Sequence, residues 1–281
     1  MLTDFKKYFA KCRYRLFEDN RVGIIKLEGI ILDGGYLPIA TNIAKSFEMA
    51  EKQGIKNIVL RINSPGGTVG ASQEISREIK KYREKNMRVV VSLGDVAASG
   101  GLYVAISADK IVSNPGTVTG SIGVIIKTNV IKNLYKKIGI DNQVVKSGEF
   151  KDILSNTKYF SKEEKAILQE LIDSTFEQFV EEISRNRNID KEEVKKFADG
   201  RIFSGLQAKE LGLVDEVGSQ SDAVDLIAKM AGMKREPHTI YISPKKSFFQ
   251  KVAGANLTEI LENAGINASY KNIPLWLMPE F

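Results

Sequence analysis

Residues 57–62 (NIVLRI) lead straight into Asn63-Ser64-Pro65-Gly66-Gly67 and then a helical pattern, and residues 89–93 (VVVSL) lead into 94–101 (GDVAASGG) and a second helical stretch. Strands alternating with helices need crossover connections, and crossovers produce parallel pairs. Glycine at a strand end lets the backbone turn with positive φ and leaves amide N–H groups uncommitted. Two such ends can converge on the same edge of a parallel sheet, which is where ligands bind in sheets of this kind. The expected class is therefore α/β with a largely parallel sheet.

The rest of the chain extends this pattern. Strand-like text is expected at 22–32, 110–113, 123–127 and 143–146, and helices at 39–53, 69–85, 102–107 and 130–138. From Ser161 the text turns helical. Ser161 with Glu164 reads as a capping box opening a helix to about residue 187, followed by a helix over 190–198. Residues 200–217 read as turn, helix and short strand, and 219–233 as an amphipathic helix. The expected organisation is a basic amphipathic helix over 1–20, one folded domain over 21–233, and an extension over 234–281 with a helix near 257–263.

Counts of single residue types restrict the chemistry. With 281 residues there is enough chain for a sizeable core. Cys12 is the only cysteine, so an intrachain disulfide and a multi-cysteine metal site are both excluded. No cofactor or metal is expected. His238 is the only histidine and stands beside Pro237 in the extension, which disfavours a Ser-His-Asp or Cys-His enzyme. A net charge of +6 is too diffuse to argue for nucleic acid. No stretch reads as a transmembrane helix or a cleavable signal. Phe5, Phe9, Cys12 and Leu16 at helical spacing among lysines and arginines suit either packing on protein or peripheral contact with a membrane. Localisation is accordingly cytoplasmic or at a membrane surface.

Ser99 lies between Ala97-Ala98 and Gly100-Gly101, the small residues that a sharp strand-to-helix turn needs to present a hydroxyl. Helix capping by Ser99 is the competing reading, as an ordinary structural turn is for Pro65-Gly66-Gly67. With histidine out of reach, a serine nucleophile would need another base. Lysine can serve if its ammonium is desolvated and its pKa falls from about 10.4. Lys151, in residues 146–152 (KSGEFKD) beside Phe150, is the candidate, against the plain alternative of a solvated surface charge.

Taken in order, NSPGG, GDVAASGG, DKIVSNPGTVTGSIGV, KSGEFKD and DGRIFSGLQAKELGLVDEVG resemble the signal peptide peptidase A family, the protease IV or S49 group of serine peptidases, in its short single-repeat form. The likeness covers about residues 22–231. It implies a ClpP/crotonase-like fold of stacked ββα units, with helical segments toward the C-terminus. It implies Ser99 as nucleophile, Lys151 as general base, Ser121 as the serine that orients the lysine, and the amides of Gly67 and Gly100 as an oxyanion hole. In the short form serine and lysine stand on one chain. The resemblance further implies extended apolar peptides such as remnant signal peptides as substrates, bound by strand addition, and a homo-oligomeric ring, an octamer among the candidate sizes. The family's usual transmembrane anchor is not visible here, and residues 237–281 fall outside the match. The apolar stretch 273–279 is expected to dock on another subunit, on a membrane or on its own domain. Two rival functions are a crotonase-type acyl-CoA enzyme, which no carboxylate pair near these turns supports, and an inactive oligomeric scaffold.

Overall fold

The computed structural model describes residues 20–34 and 38–244, and the backbone of 275–277. The helices expected over 1–20 and near 257–263 lie outside the described residues. Eight strands form one mixed sheet. Its path runs β7 (Ile202–Ser204), β6 (Val118–Gly120), β4 (Arg88–Ala98), β2 (Asn57–Ser64), β1 (Arg21–Glu28), β9 (His238–Tyr241), and the short strands β5 (Lys110–Ser113) and β8 (Glu216–Val217) continue from β4. All pairings are parallel except β6 with β7.

Side-chain alternation along the strands divides the core in two. Ile25, Leu27, Ile58, Leu60, Ile62, Val89, Val91 and Ile111 face one side. There they are covered by α1 (Ile39–Lys52), α2 (Val69–Glu84), α3 (Gly100–Ala105) and α5 (Lys162–Arg187), whose Phe47, Ile75, Leu102 and Phe179 are fully buried or nearly so. Val22, Ile24, Val59, Val90 and Val112 face the other side, against Ala223, Val224 and Ile227 of α8 (Gln220–Met230). A strand sequence that is apolar at every position, as 58–60 and 89–91 are, is what burial on both faces requires.

The capping box at Ser161 forms as expected: its hydroxyl accepts from the Glu164 N–H at 3.1 Å, and the Glu164 carboxylate accepts from the Ser161 N–H at 2.9 Å. Several expectations are corrected. Residues 123–127 and 143–146 are not strands. The strand on that side of the sheet is β6, formed by Val118–Gly120, where Ala98 pairs with Gly120. Apart from a single bridge at Ile125, the β-branched runs at 124–126 and 144–145 are not laid along a neighbouring strand, and propensity without a ladder does not make a strand. Between them lies only a short helix, α4 (Lys132–Lys137), with no buried residue. Residues 94–98, expected as turn, continue β4. The sheet also reaches into the segment expected as an extension, because His238–Tyr241 pairs with β1 at the edge. His238 is exposed there.

Candidate active site

β2, β4 and β6 end side by side, and each runs directly into one of the turns singled out in the sequence. Gly66 and Gly67 follow β2, Ser99 follows β4, and Ser121 follows β6. The parallel pairing Ser64↔Ala97 and Ala98↔Gly120 brings these turns together at the carboxyl edge. The Ser99 N–H donates to the Gly120 carbonyl at 2.8 Å, and the Ser121 N–H donates to the Arg201 carbonyl at 2.8 Å.

Ser99 has φ 51° and ψ −114°, a region that L-residues with a side chain avoid. It is 1% exposed, yet its side chain makes no capping hydrogen bond to the helix it precedes. The capping alternative is thus removed: the backbone is held in a sparsely populated conformation, and the hydroxyl is not used to end a helix. Ser121 likewise has φ 51°. On α3, Tyr103 packs edge-on against Phe179 at 5.3 Å between ring centroids, and burial pushes its phenol up to about 12. Tyr103 therefore stays protonated at neutral pH and serves packing.

Gly67 is glycine for a steric reason. A Cβ there would sit 1.9 Å from the Ile31 carbonyl oxygen, because Ile31 bridges to Gly67 in parallel register. The Ile31 N–H donates to the Gly66 carbonyl at 2.7 Å and the Thr68 N–H donates to the Ile31 carbonyl at 2.9 Å. Backbone groups alternate sides along an extended strand, so the N–H of Gly67 in β3 (Gly66–Thr68) points to the opposite edge.

The sequence motifs contain the residues that shape the end of β4, but sequence reasoning gave Asn63, Thr117 and Thr119 no role there. The register between β2 and β4 shifts between Ile62 and Ser64. The Asn63 Oδ1 accepts from the Val96 N–H at 3.0 Å across this irregularity. Thr117 Oγ1 donates to the Gly94 carbonyl and Thr119 Oγ1 to the Ala97 carbonyl, both at 2.6 Å. Threonines at alternate positions of a short strand were the available signal, since both project to one face.

Lys151 is placed differently. It is exposed, within a turn closed by its own N–H on the Gly148 carbonyl at 3.2 Å. Among the described residues no hydrogen bond joins Lys151 to Ser99 or Ser121. Its neighbour Asp152 anchors the turn, accepting from Lys146 at 2.6 Å and from Lys158 at 2.9 Å. These two ammonium groups, Lys146 above all, hold the Asp152 carboxyl down at about 2. Lys158 also reaches Glu164 at the start of α5, tying the turn to that helix. Gly100 opens α3 and is buried. Among the described residues no group of acidic, histidine and cysteine side chains could hold a metal ion, and no helix is long and apolar enough to cross a membrane.

Residues 81–234 match Peptidase family S49, and residues 26–117 match Clp protease. A Synechocystis protein named "Putative protease slr0021" is 39% identical over 270 residues, spanning 92% of this chain and 96% of its own length. Protease 4 of Haemophilus influenzae is 33% identical over 248 residues, but these are 84% of this chain and only 39% of that protein. Among solved structures, a membrane-bound stomatin-specific protease superposes with a TM-score of 0.52 at 16% identity, over 80% of this chain and 99% of that one. That likeness carries the fold, α/β of the ClpP/crotonase kind. More than half the chain matches one family, and a relative aligns with it along nearly its whole length: the chain belongs to peptidase family S49.

Proposed function

We propose that this chain is a serine endopeptidase in which Ser99 is the nucleophile, Lys151 the general base and Ser121 the residue that orients the lysine amine. The observation that carries the reading is Ser99 itself: strained, buried, capping nothing, and opening a helix that contacts the Gly66–Thr68 strand. In the reaction Lys151 Nζ takes the proton of Ser99 Oγ as that oxygen bonds to the peptide carbonyl carbon. The carbonyl oxygen becomes an oxyanion held by the N–H groups of Gly67 and Gly100. The lysinium returns the proton to the departing amine nitrogen as the C–N bond breaks. Water then hydrolyses the ester on Ser99.

A lysine base must be desolvated, and the arm that bears Lys151 exposes it in the single chain. The same arm leaves Leu134, Ile138, Val144, Val145 and Phe150 between 39% and 102% exposed. This much unpartnered apolar surface on one segment fits burial against a second copy, so we infer a homo-oligomer whose assembly covers the arm and dries the amine. Substrates are extended apolar peptides, remnant signal peptides among them, added as a strand at the sheet edge.

Hydrolysis of a fluorogenic apolar peptide against pH is the test. Turnover is expected to be lost in Ser99→Ala and in Lys151→Ala, and in the native chain to rise through one ionisation well below about 10.4. Full turnover in Lys151→Ala would exclude the dyad. Absence of cleavage by every form would return the choice to an inactive scaffold.

A further inference from the structure

The outer edge of β3 is already taken. Residues Leu275–Leu277, β10, run antiparallel to Gly66–Thr68 with Leu275 opposite Thr68, Trp276 opposite Gly67 and Leu277 opposite Gly66. On its inner edge β3 is bonded to Ile31, so β10 lies on the edge toward which the Gly67 N–H points. β10 also lies against α3, the helix that starts one residue after Ser99. The backbone of Leu275–Leu277, within the apolar sequence Ile273-Pro274-Leu275-Trp276-Leu277-Met278-Pro279, thus lies against both the glycine strand and the helix that follows Ser99.

From this we propose that the chain's own segment around Trp276 occupies the peptide-binding edge of β3 and competes there with substrate. The inference rests on reading Ser99 and Gly67 as parts of a peptidase site, and it specifies how that site is regulated. Strand addition gives affinity through main-chain hydrogen bonds, which are the same for any extended peptide. A competitor on the same chain acts at an effective concentration that dilution does not change. Substrate then binds only the fraction of molecules whose edge is vacant, which raises the apparent KM by the inverse of that fraction and leaves kcat untouched.

Two measurements test this, one of which needs no turnover. Trp276 is the only tryptophan of the chain, so intrinsic tryptophan fluorescence reports this segment alone. In the full-length Ser99→Ala variant, titration with a tryptophan-free apolar peptide is expected to change that emission saturably as the segment is displaced. In the catalytically intact chain, truncation after Tyr270 is expected to lower KM by about tenfold at unchanged kcat, the value for one vacant edge in about ten. A synthetic peptide with the sequence of residues 272–281 should restore the higher KM competitively. An emission that does not respond, together with equal KM in both chains and no inhibition by that peptide, would overturn occupancy while leaving the peptidase reading intact. A saturable emission change in a chain that cleaves nothing would support occupancy and remove the peptidase reading. If truncation prevents folding, Trp276→Pro in the full chain replaces it in the KM comparison, since the Trp276 N–H is the one directed at Gly67 and proline removes that ladder donor without shortening the segment.

Discussion

Two regions of this molecule hold the candidate chemistry, and they are built in opposite ways. At the carboxyl edge of the sheet, Gly67, Ser99 and Ser121 follow adjacent strand ends, with the Ser99 N–H bonded to the Gly120 carbonyl and the Ser121 N–H to the Arg201 carbonyl, over a fully buried core. From residue 123 to 163, by contrast, no residue is buried, and the turn around Lys151 is fixed by ion pairs instead of packing. The first region can store strain because its surroundings over-determine it. The second cannot exclude water by itself, although a lysine base requires that it be excluded. In the proposed dyad the nucleophile needs position and the base needs burial. The single chain supplies the former.

Substitutions of similar size should therefore have very different consequences in the two regions. The largest effect is expected for Gly67→Ala. The new Cβ meets a backbone carbonyl and not a movable side chain, so we expect a loss of about 3 kcal/mol or more in denaturant unfolding, beyond ordinary overpacking. Gly148→Ala, in the Lys151 turn, meets nothing within 4 Å and should leave the unfolding midpoint where it was. Equal shifts for the two variants would break the contrast.

Next in size is the strain at Ser99. Both Ser99→Gly and Ser99→Ala should be inactive, but only glycine accepts φ 51° and ψ −114° without penalty. Ser99→Gly should exceed Ser99→Ala in stability by about 1 kcal/mol, or roughly 2–4 °C in Tm for a chain of this size. If alanine is as stable as glycine, the turn is not strained and its conformation has no claim to be a functional device.

How far the sequence reveals each region follows from the same contrast. The apolar runs of β1, β2 and β4 and the capping box at Ser161 are local signals that the fold obeys, since periodicity and side-chain capping act within a few residues. The turn residues Gly67, Ser99 and Ser121 are legible as types, but their meeting at one edge depends on the register of β4 with β6. That register involves Val118–Gly120, a run too short and too glycine-rich to read as a strand. In the arm the reading fails outright: Gln143-Val144-Val145-Lys146 has strand propensity and no partner strand. Side chains exposed this far carry a pattern that, on the proposed assembly, is completed by another copy of the chain. Lys151 was legible only through the resemblance of its motif, because no local physical rule distinguishes it from the other basic residues.

Val145→Asp with Ile138→Asp should change unfolding of the single chain by no more than about 0.5 kcal/mol, as surface substitutions do. In sedimentation, however, the double variant should run smaller than the native protein and lose peptidase activity in parallel. Full activity in a variant that no longer assembles would show that the arm needs no second copy to prepare its lysine.

The smallest effect is confined to the anchor of that arm. Asp152 titrates at about 2 because Lys146 and then Lys158 favour its carboxylate, against about 3.9 in an unfolded chain. A depressed folded pKa means that the contribution to stability is complete above the unfolded value, declines as pH falls from about 4 toward 2, and is gone below both. Because the pair of lysines is local, this loss should loosen the turn without melting the sheet: amide exchange around residues 146–158 should quicken over that interval while that of β2 and β4 does not. Carboxyl carbon shifts of labelled aspartate give the sharper test. Lys146→Met should raise the Asp152 midpoint more than Lys158→Met does. The reverse order would mean that the turn is held chiefly from α5 through Lys158 and Glu164, making the arm less independent of the folded core than its exposure implies.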